Sequence, residues 1–272
     1  MEDGRGPELI AGFPTFASQM GRGVRRALFI HCSLAHSGAW IAVQAALLDK
    51  LSMVSFDRPS HGRSGRWMGG EDSAALHKQT SRIAAELLGK RADVIGHSWG
   101  GTVALRLAIE RGEQVRSLVL YEPVLLAAAA GHPAFEAHKV VMAQARRAFD
   151  AGDRATAAQL FNDEMNPNAL WDQLPDKAQE RFAQEIHTVF EEVGVAVDDA
   201  AGLCAPGMLE KIKQPVLLME GTSTSAVVRA ANQALCARIP QAQRVIVVGA
   251  GHMAPITHPD NIAGEIAAFL KI

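Results

Sequence analysis

Two short segments of this chain carry residue types suited to acyl chemistry. Ser98 is the centre of Gly96-His97-Ser98-Trp99-Gly100, a GxSxG pattern, and His252 lies in Gly249-Ala250-Gly251-His252-Met253. A hydroxyl is a weak nucleophile until a base takes its proton, and histidine is the side chain whose ordinary pKa suits that transfer near neutral pH. Ser98 and His252 are therefore the candidate nucleophile and base. Because GxSxG arises easily by chance, its weight depends on context: a strand should lead into the serine and a helix should leave it. Residues 92–97 (ADVIGH) read as the strand, and residues 99–110 (WGGTVALRLAIE) place Val103, Leu107 and Ala108 at helical spacing. A serine on such an elbow sits beside a helix N-terminus, whose free N–H groups favour developing negative charge.

The other candidates are weaker. His97 adjoins Ser98 on a tight turn, points elsewhere and packs beside the elbow; His258, before Pro259, is a helix-entry residue. His31 and His61 fall in loops at strand ends and are expected to line the substrate pocket. Cys32 lacks the turn and base that a thiolate nucleophile needs.

The elements that must position these residues follow from periodicity. Short apolar or β-branched runs at residues 27–32, 51–57, 92–97, 117–121, 215–221 and 244–249 predict six strands. Between them lie stretches of helical period, such as 72–88, with Leu76, Thr80, Ile83 and Leu87 on one face and Gly89 as its stop, and 259–270, with Ile262, Ile266, Phe269 and Leu270. This alternation defines an α/β class with a mainly parallel sheet flanked by helices. It breaks after Pro123 and resumes at Pro215. In between, Phe135, His138, Met142, Ala145 and Phe149, then Ala178, Phe182, Ile186, Val189 and Phe190, recur at helical spacing. The expected organisation is a core domain of residues 1–123 and 214–272 with an inserted helical cap at 124–213, entered through the alanines at 127–130. Cap residues such as Phe149 and Trp171 are expected to line an apolar substrate pocket.

The chain has 272 residues, 48% hydrophobic and 21% charged, with a formal net charge of -2. That length supports one large core with an appended segment, and that balance supplies no basic field for nucleic acid. Cys32, Cys204 and Cys236 are too far apart for a CxxC metal pair or a disulfide framework, and the histidines lack HxH or HExxH spacing, so no metal and no cofactor is expected. The opening, with Glu2 and Asp3 and no apolar run of signal or membrane length after it, reads as a cytoplasmic protein without a membrane partner. The expected partner is a small-molecule substrate; the oligomeric state is left open.

Several motifs together resemble the α/β-hydrolase superfamily across nearly the whole chain. Residues 27–40 (ALFIHCSLAHSGAW) resemble its first strand and oxyanion loop, with Cys32 where glycine is usual. Residues 57–65 (DRPSHGRSG) resemble its DxxGxGxS loop, and GAGHMAPITHP resembles its histidine loop. The resemblance implies an oxyanion hole formed by the backbone N–H groups of Trp99 and Ser33. It also implies a triad acid, commonly in a turn after the strand that here reads PVLLMEG. That turn, Gly221-Thr222-Ser223-Thr224-Ser225, holds no carboxylate. Some members carry the acid at the end of the preceding strand, here Tyr121-Glu122-Pro123. Glu122 is therefore preferred to Glu220, and to Asp198 or Asp199 within the cap. The resulting expectation is a serine hydrolase that cleaves a small to medium, largely apolar carboxylic ester through an acyl-enzyme. A lactonase, a carbon–carbon bond hydrolase, a cofactor-free perhydrolase and a non-catalytic receptor are the alternatives.

Overall fold

A computed structural model describes residues 6–272; the acidic opening at Glu2 and Asp3 lies outside the described residues. The chain begins with a small antiparallel hairpin, β1 (Glu8–Ile10) and β2 (Phe13–Thr15), then runs through β3 (Ala17–Met20), β4 (Arg25–Ile30), α1 (Ile41–Ala45), β5 (Leu51–Phe56), α2 (Ser73–Leu88), β6 (Ala92–His97), α3 (Trp99–Glu110) and β7 (Val115–Tyr121). Four α-helices follow: α4 (Pro133–Asp150), α5 (Arg154–Met165), α6 (Asp176–Glu185) and α7 (His187–Val197). The sheet then resumes with β8 (Val216–Gly221), α8 (Ala226–Arg238) and β9 (Ala242–Val247), and the chain closes with α9 (Ala254–Thr257) and α10 (Pro259–Leu270).

Seven strands form one sheet in the order β3-β5-β4-β6-β7-β8-β9. Only the β3–β5 pair is antiparallel. Strands covered by helices on both faces become apolar on both, and period 2 divides their side chains between two cores. Val94 of β6 packs with Leu28, Leu118 and Leu218 against Ile83 of α2 and Val103 of α3, whereas its neighbour Ile95 joins Phe29, Val119 and Leu217 against Ile262 and Ile266 of α10. A third cluster, including Met142, Ala157, Trp171, Ile186 and Phe190, belongs to the helices between β7 and β8 and takes in Leu34 from the loop after β4.

The strand order reverses between β4, which continues to β5 on one side, and β6, which lies on the other. Such a switch point opens a crevice at the carboxyl ends of the strands. The loops after β4 and β6 flank it. Among the described residues, no helix is long and apolar enough to cross a membrane.

All six expected strands are present, β6 with the expected ends and the others with ends shifted by at most two residues. β4 stops at Ile30 because the chain turns into a loop in which Leu34 takes a φ of 54°. β9 stops at Val247 before Gly249, whose φ of 79° bends the chain away. The run from Ala178 to Phe190 is two helices that meet at the buried Ile186.

Candidate active site

The elbow is built by close packing. Ser98 sits at φ 55°, ψ −124° between β6 and α3, a conformation that residues with a Cβ rarely adopt. Its N–H donates to the Tyr121 carbonyl at 3.0 Å, and its own carbonyl accepts from Gly101 N–H at 2.9 Å and Val124 N–H at 3.3 Å. A Cβ at Gly100 would lie 2.4 Å from the Ile30 carbonyl oxygen, and one at Gly96 would lie 2.7 Å from the Gly100 oxygen. Neither position has room for a side chain.

The structure brings Ser98, His252 and Glu122 into one hydrogen-bonded line. Ser98 Oγ lies 3.0 Å from His252 Nε2, and His252 Nδ1 lies 2.7 Å from Glu122 Oε2. With the proton on Nδ1, that nitrogen donates to the carboxylate and leaves Nε2 free to accept from the serine. The second Glu122 oxygen accepts the Gly221 N–H at 2.8 Å, so the carboxylate is held from two sides. Glu122, at the end of β7, also has a positive φ, 43°. All three side chains are buried, and Glu122 is 0% exposed.

The histidine loop is clamped from the sheet. His97 Nε2–H donates to the His252 carbonyl at 2.8 Å, and the Tyr121 hydroxyl donates to the Gly251 carbonyl at 2.7 Å. Burial pushes the His97 pKa well below its ordinary value, which keeps the ring neutral. His97 thus packs beside the elbow, as expected, and also fixes the loop that carries His252.

Glu220 faces elsewhere. It is paired with Arg244 and accepts from Asn232 Nδ2 at 3.1 Å. Asp199 accepts the N–H groups of Leu203 and Cys204, and Asp198 is exposed.

Trp99 opens α3 and Ser33 follows β4, and both line one cavity with Ser98. Cys32 is not among the residues with positive φ; Leu34 takes that angle instead. Burial raises the Cys32 thiol to about 12, so it stays protonated. The Ser33 hydroxyl donates to Glu192 of α7, whose other oxygen accepts from Arg58 Nη1. Arg58 also donates through Nε to the His31 carbonyl at 3.0 Å, and its guanidinium lies 4.5 Å from the centre of the Trp99 ring. Sequence reasoning did not single out Arg58 or Glu192. Arg58 lies inside the DRPSHGRSG loop, whereas one acidic residue on a helix, Glu192, carries no signal of its own.

The four expected pocket residues do not line the cavity at Ser98. His31 is fully buried, donating from Nδ1 to the Cys32 carbonyl at 2.7 Å and accepting the Arg58 N–H at Nε2 at 2.9 Å. His61 donates to the Pro59 carbonyl at 2.8 Å. Burial, with Arg58 nearby, lowers the pKa of both rings and keeps them neutral, so they brace loops instead of meeting substrate. Phe149 stacks on Phe190, with ring centres 4.7 Å apart, and opens on a separate cleft. Trp171 is buried within the apolar cluster of the inserted helices.

Two cavities meet at Ser98. The outer one, about 320 Å³, is lined by Ser98, His252, Met253 and Ile256 and by Phe161, Met165 and Phe182 of the inserted helices. The inner one, about 40 Å³, lies beneath those helices and is lined by Ser98, Ser33, Trp99, Leu126, Met142 and Val189, among others.

This chain belongs to the alpha/beta hydrolase family, whose model matches residues 27–265. The 2-hydroxymuconate semialdehyde hydrolase of Pseudomonas putida is 28% identical over 274 residues, covering 96% of this chain and 92% of that protein. The solved structure of a hydrolase from Pseudomonas aeruginosa PA01 superposes with a TM-score of 0.76 at 21% identity, over 100% of both chains. A pimeloyl-[acyl-carrier protein] methyl ester esterase of Nitrosomonas europaea is 38% identical over 95 residues, 34% of this chain. The chain spans 35% of that esterase's length and 29% of another curated relative's.

Proposed function

We propose that this hydrolase cleaves carboxylic esters through an acyl-enzyme at Ser98. His252 is the general base, Glu122 the acid that orients it, and the N–H groups of Trp99 and Ser33 hold the oxyanion. The helices between β7 and β8 act as a cap over the substrate. The observation that carries the reading is the unbroken line from Ser98 Oγ to His252 Nε2 at 3.0 Å and from His252 Nδ1 to Glu122 Oε2 at 2.7 Å.

In the first half-reaction Ser98 Oγ attacks the ester carbonyl carbon while its proton passes to His252 Nε2. The carbonyl oxygen becomes an oxyanion; as it collapses, the bond to the alcohol breaks and the alcohol leaves with the proton from His252. Water then attacks the acyl carbon, giving a proton to the same nitrogen; as the second oxyanion collapses, the bond to Ser98 Oγ breaks, Oγ takes that proton back from His252, and the carboxylic acid leaves. The reaction draws on this chain's own residues and takes a small-molecule substrate.

Turnover of p-nitrophenyl acetate, loss of that turnover in Ser98→Ala and a phenylmethylsulfonyl adduct located on Ser98 by mass spectrometry are the expected results. Residual turnover in Ser98→Ala near the wild-type rate would remove the nucleophile from the reading. A second reaction on the same residues, hydrolysis of a carbon–carbon bond, is favoured by the name of the Pseudomonas putida relative, which is similar along nearly its whole length. Comparing 2-hydroxymuconate semialdehyde with simple esters and lactones, by kcat/KM on one preparation, separates these reactions.

A further inference from the structure

The two cavities at Ser98 differ in volume and in one wall residue that bears on the direction of bond cleavage. His252 lines the outer cavity and does not line the inner one, whereas Ser98 and Ser33 line both. The departing alcohol oxygen takes its proton from His252 Nε2, so it must lie on the His252 side of the carbonyl carbon when the bond breaks. The acyl substituent, on another vertex of the same tetrahedral carbon, then points away from His252. The cavity at Ser98 that His252 does not line is the inner one.

From this geometry, and resting on the ester reading above, we infer that the hydrolase is selective for short acyl groups: the acyl part fills the inner cavity, and the bulkier alcohol occupies the outer one. Volume sets the limit. A water-sized group needs about 10–15 Å³ of such space, so the inner 40 Å³ takes roughly three non-hydrogen atoms and the outer 320 Å³ many more. Acetyl, propionyl and butyryl groups place one to three carbons beyond the carbonyl and fit; a heptanoyl group places six and does not.

The inner walls are packed from several elements. Trp99 (1% exposed) opens α3, Leu126 (2%) lies in the joint after β7, and Met142 (7%) comes from α4. Val189 and Glu192 come from α7, where Glu192 is held by Arg58 and Ser33. Lengthening the acyl chain therefore requires displacing buried side chains of both the core and the inserted helices. Polar side chains reach both cavities, Glu192 and His138 in the inner one and Asn162, Asn166 and the exposed Arg181 in the outer one. The outer ones accommodate an alcohol with hydrogen-bonding groups.

Hexyl acetate and methyl heptanoate are isomers, so partitioning from water differs little between them and the position of the carbonyl decides the outcome. In pH-stat assays hexyl acetate is expected to have a kcat/KM at least about tenfold higher, a discrimination within reach of a filled apolar pocket. Met142→Ala and Leu126→Ala, which enlarge the inner cavity, are expected to raise kcat/KM for methyl heptanoate relative to hexyl acetate; the wild-type pair decides the matter should neither variant fold. Equal rates, or faster cleavage of methyl heptanoate, overturn the assignment of the two cavities while leaving the ester reading intact. Absence of turnover on both isomers and on p-nitrophenyl acetate overturns the ester reading and this selectivity with it.

Discussion

At the scale of single residues the acid is the position on which two carboxylates compete, and their surroundings separate them. Glu122 has one oxygen on His252 and the other on the Gly221 N–H, whereas both Glu220 oxygens are taken by Arg244 and Asn232. Glu122→Gln keeps the volume but removes the charge that stabilises an imidazolium, and its amide favours the wrong histidine tautomer. It is expected to lower kcat by about 10³–10⁴ while leaving the fold in place. Glu220→Gln is expected to keep kcat near wild type and to lower Tm, because Arg244 loses its charged partner. Steady-state kinetics beside thermal melts on the two variants check this, and a rate collapse in Glu220→Gln with none in Glu122→Gln would reverse the assignment. Ser98, His252 and Glu122 were legible because motif, chain order and strand ends place them on one edge of the sheet. His31 and His61 occupy the same edge, yet their rings turn inward to brace Arg58 and Pro59. Position after a strand does not determine which way a loop side chain points, and that direction separates a pocket residue from a brace.

At the scale of elements, α7 joins the inserted helices to the core through charge as well as apolar packing. Its Val189 and Phe190 were visible as an apolar stripe, but the buried residues of this helix also include Thr188, Glu191 and Glu192. Helical periodicity assigns polar residues to solvent, so a carboxylate that reaches back to Ser33 and Arg58 is invisible to it. Strands β1 to β3 were missed for a related reason: they have three or four residues each, and the mixed polar run Ala17–Met20 forms an edge strand with no alternation to detect. Removing one member of a buried ion pair strands the other without water, at about 3–5 kcal/mol, whereas replacing both by apolar residues of similar volume is often near neutral. Arg58 is 0% and Glu192 2% exposed. Glu192→Ala is therefore expected to destabilise by about 3–5 kcal/mol. The double change Arg58→Met with Glu192→Leu is expected to recover most of that loss, as measured by urea denaturation in a double-mutant cycle. Additive losses would show that the pair does not couple α7 to the loop after β5.

For the whole molecule, protons bound in the folded and unfolded states set the pH range of stability. Burial lowers the pKa of His31, His61 and His97 well below its ordinary value and lowers that of His77 to about 3. These rings stay neutral in the fold but take protons in the unfolded chain below about pH 6.5. The unfolded state therefore binds more protons as the pH falls, and stability that is fully present above 6.5 is lost at about 1.4 kcal/mol per pH unit for each ring. Four rings together remove several kcal/mol by about pH 5.5, a large share of the ~5–15 kcal/mol that holds a domain folded. Glu191 acts in the opposite sense. Burial, with Glu192 adjacent, raises its pKa from 4.5 to about 7, so ionisation between those values costs the folded state more than the unfolded one. Burial also raises the Asp199 pKa; with two such carboxyls against four histidines, the slope below pH 6.5 follows the histidines. Tm is expected to hold steady from about pH 7 to 8 and to fall from 6.5 to 5, a window above the range in which ordinary carboxylates titrate. Glu191→Gln is expected to raise Tm at pH 8 and leave it unchanged at pH 4.5. A His77→Gln variant, which keeps a partner for the Thr102 hydroxyl that lies 3.1 Å from His77 Nε2, should flatten the acid limb by one proton's worth. Differential scanning calorimetry across these pH values tests both limbs; a Tm that does not change between pH 7 and 5 would show that the four rings are protonated in the fold.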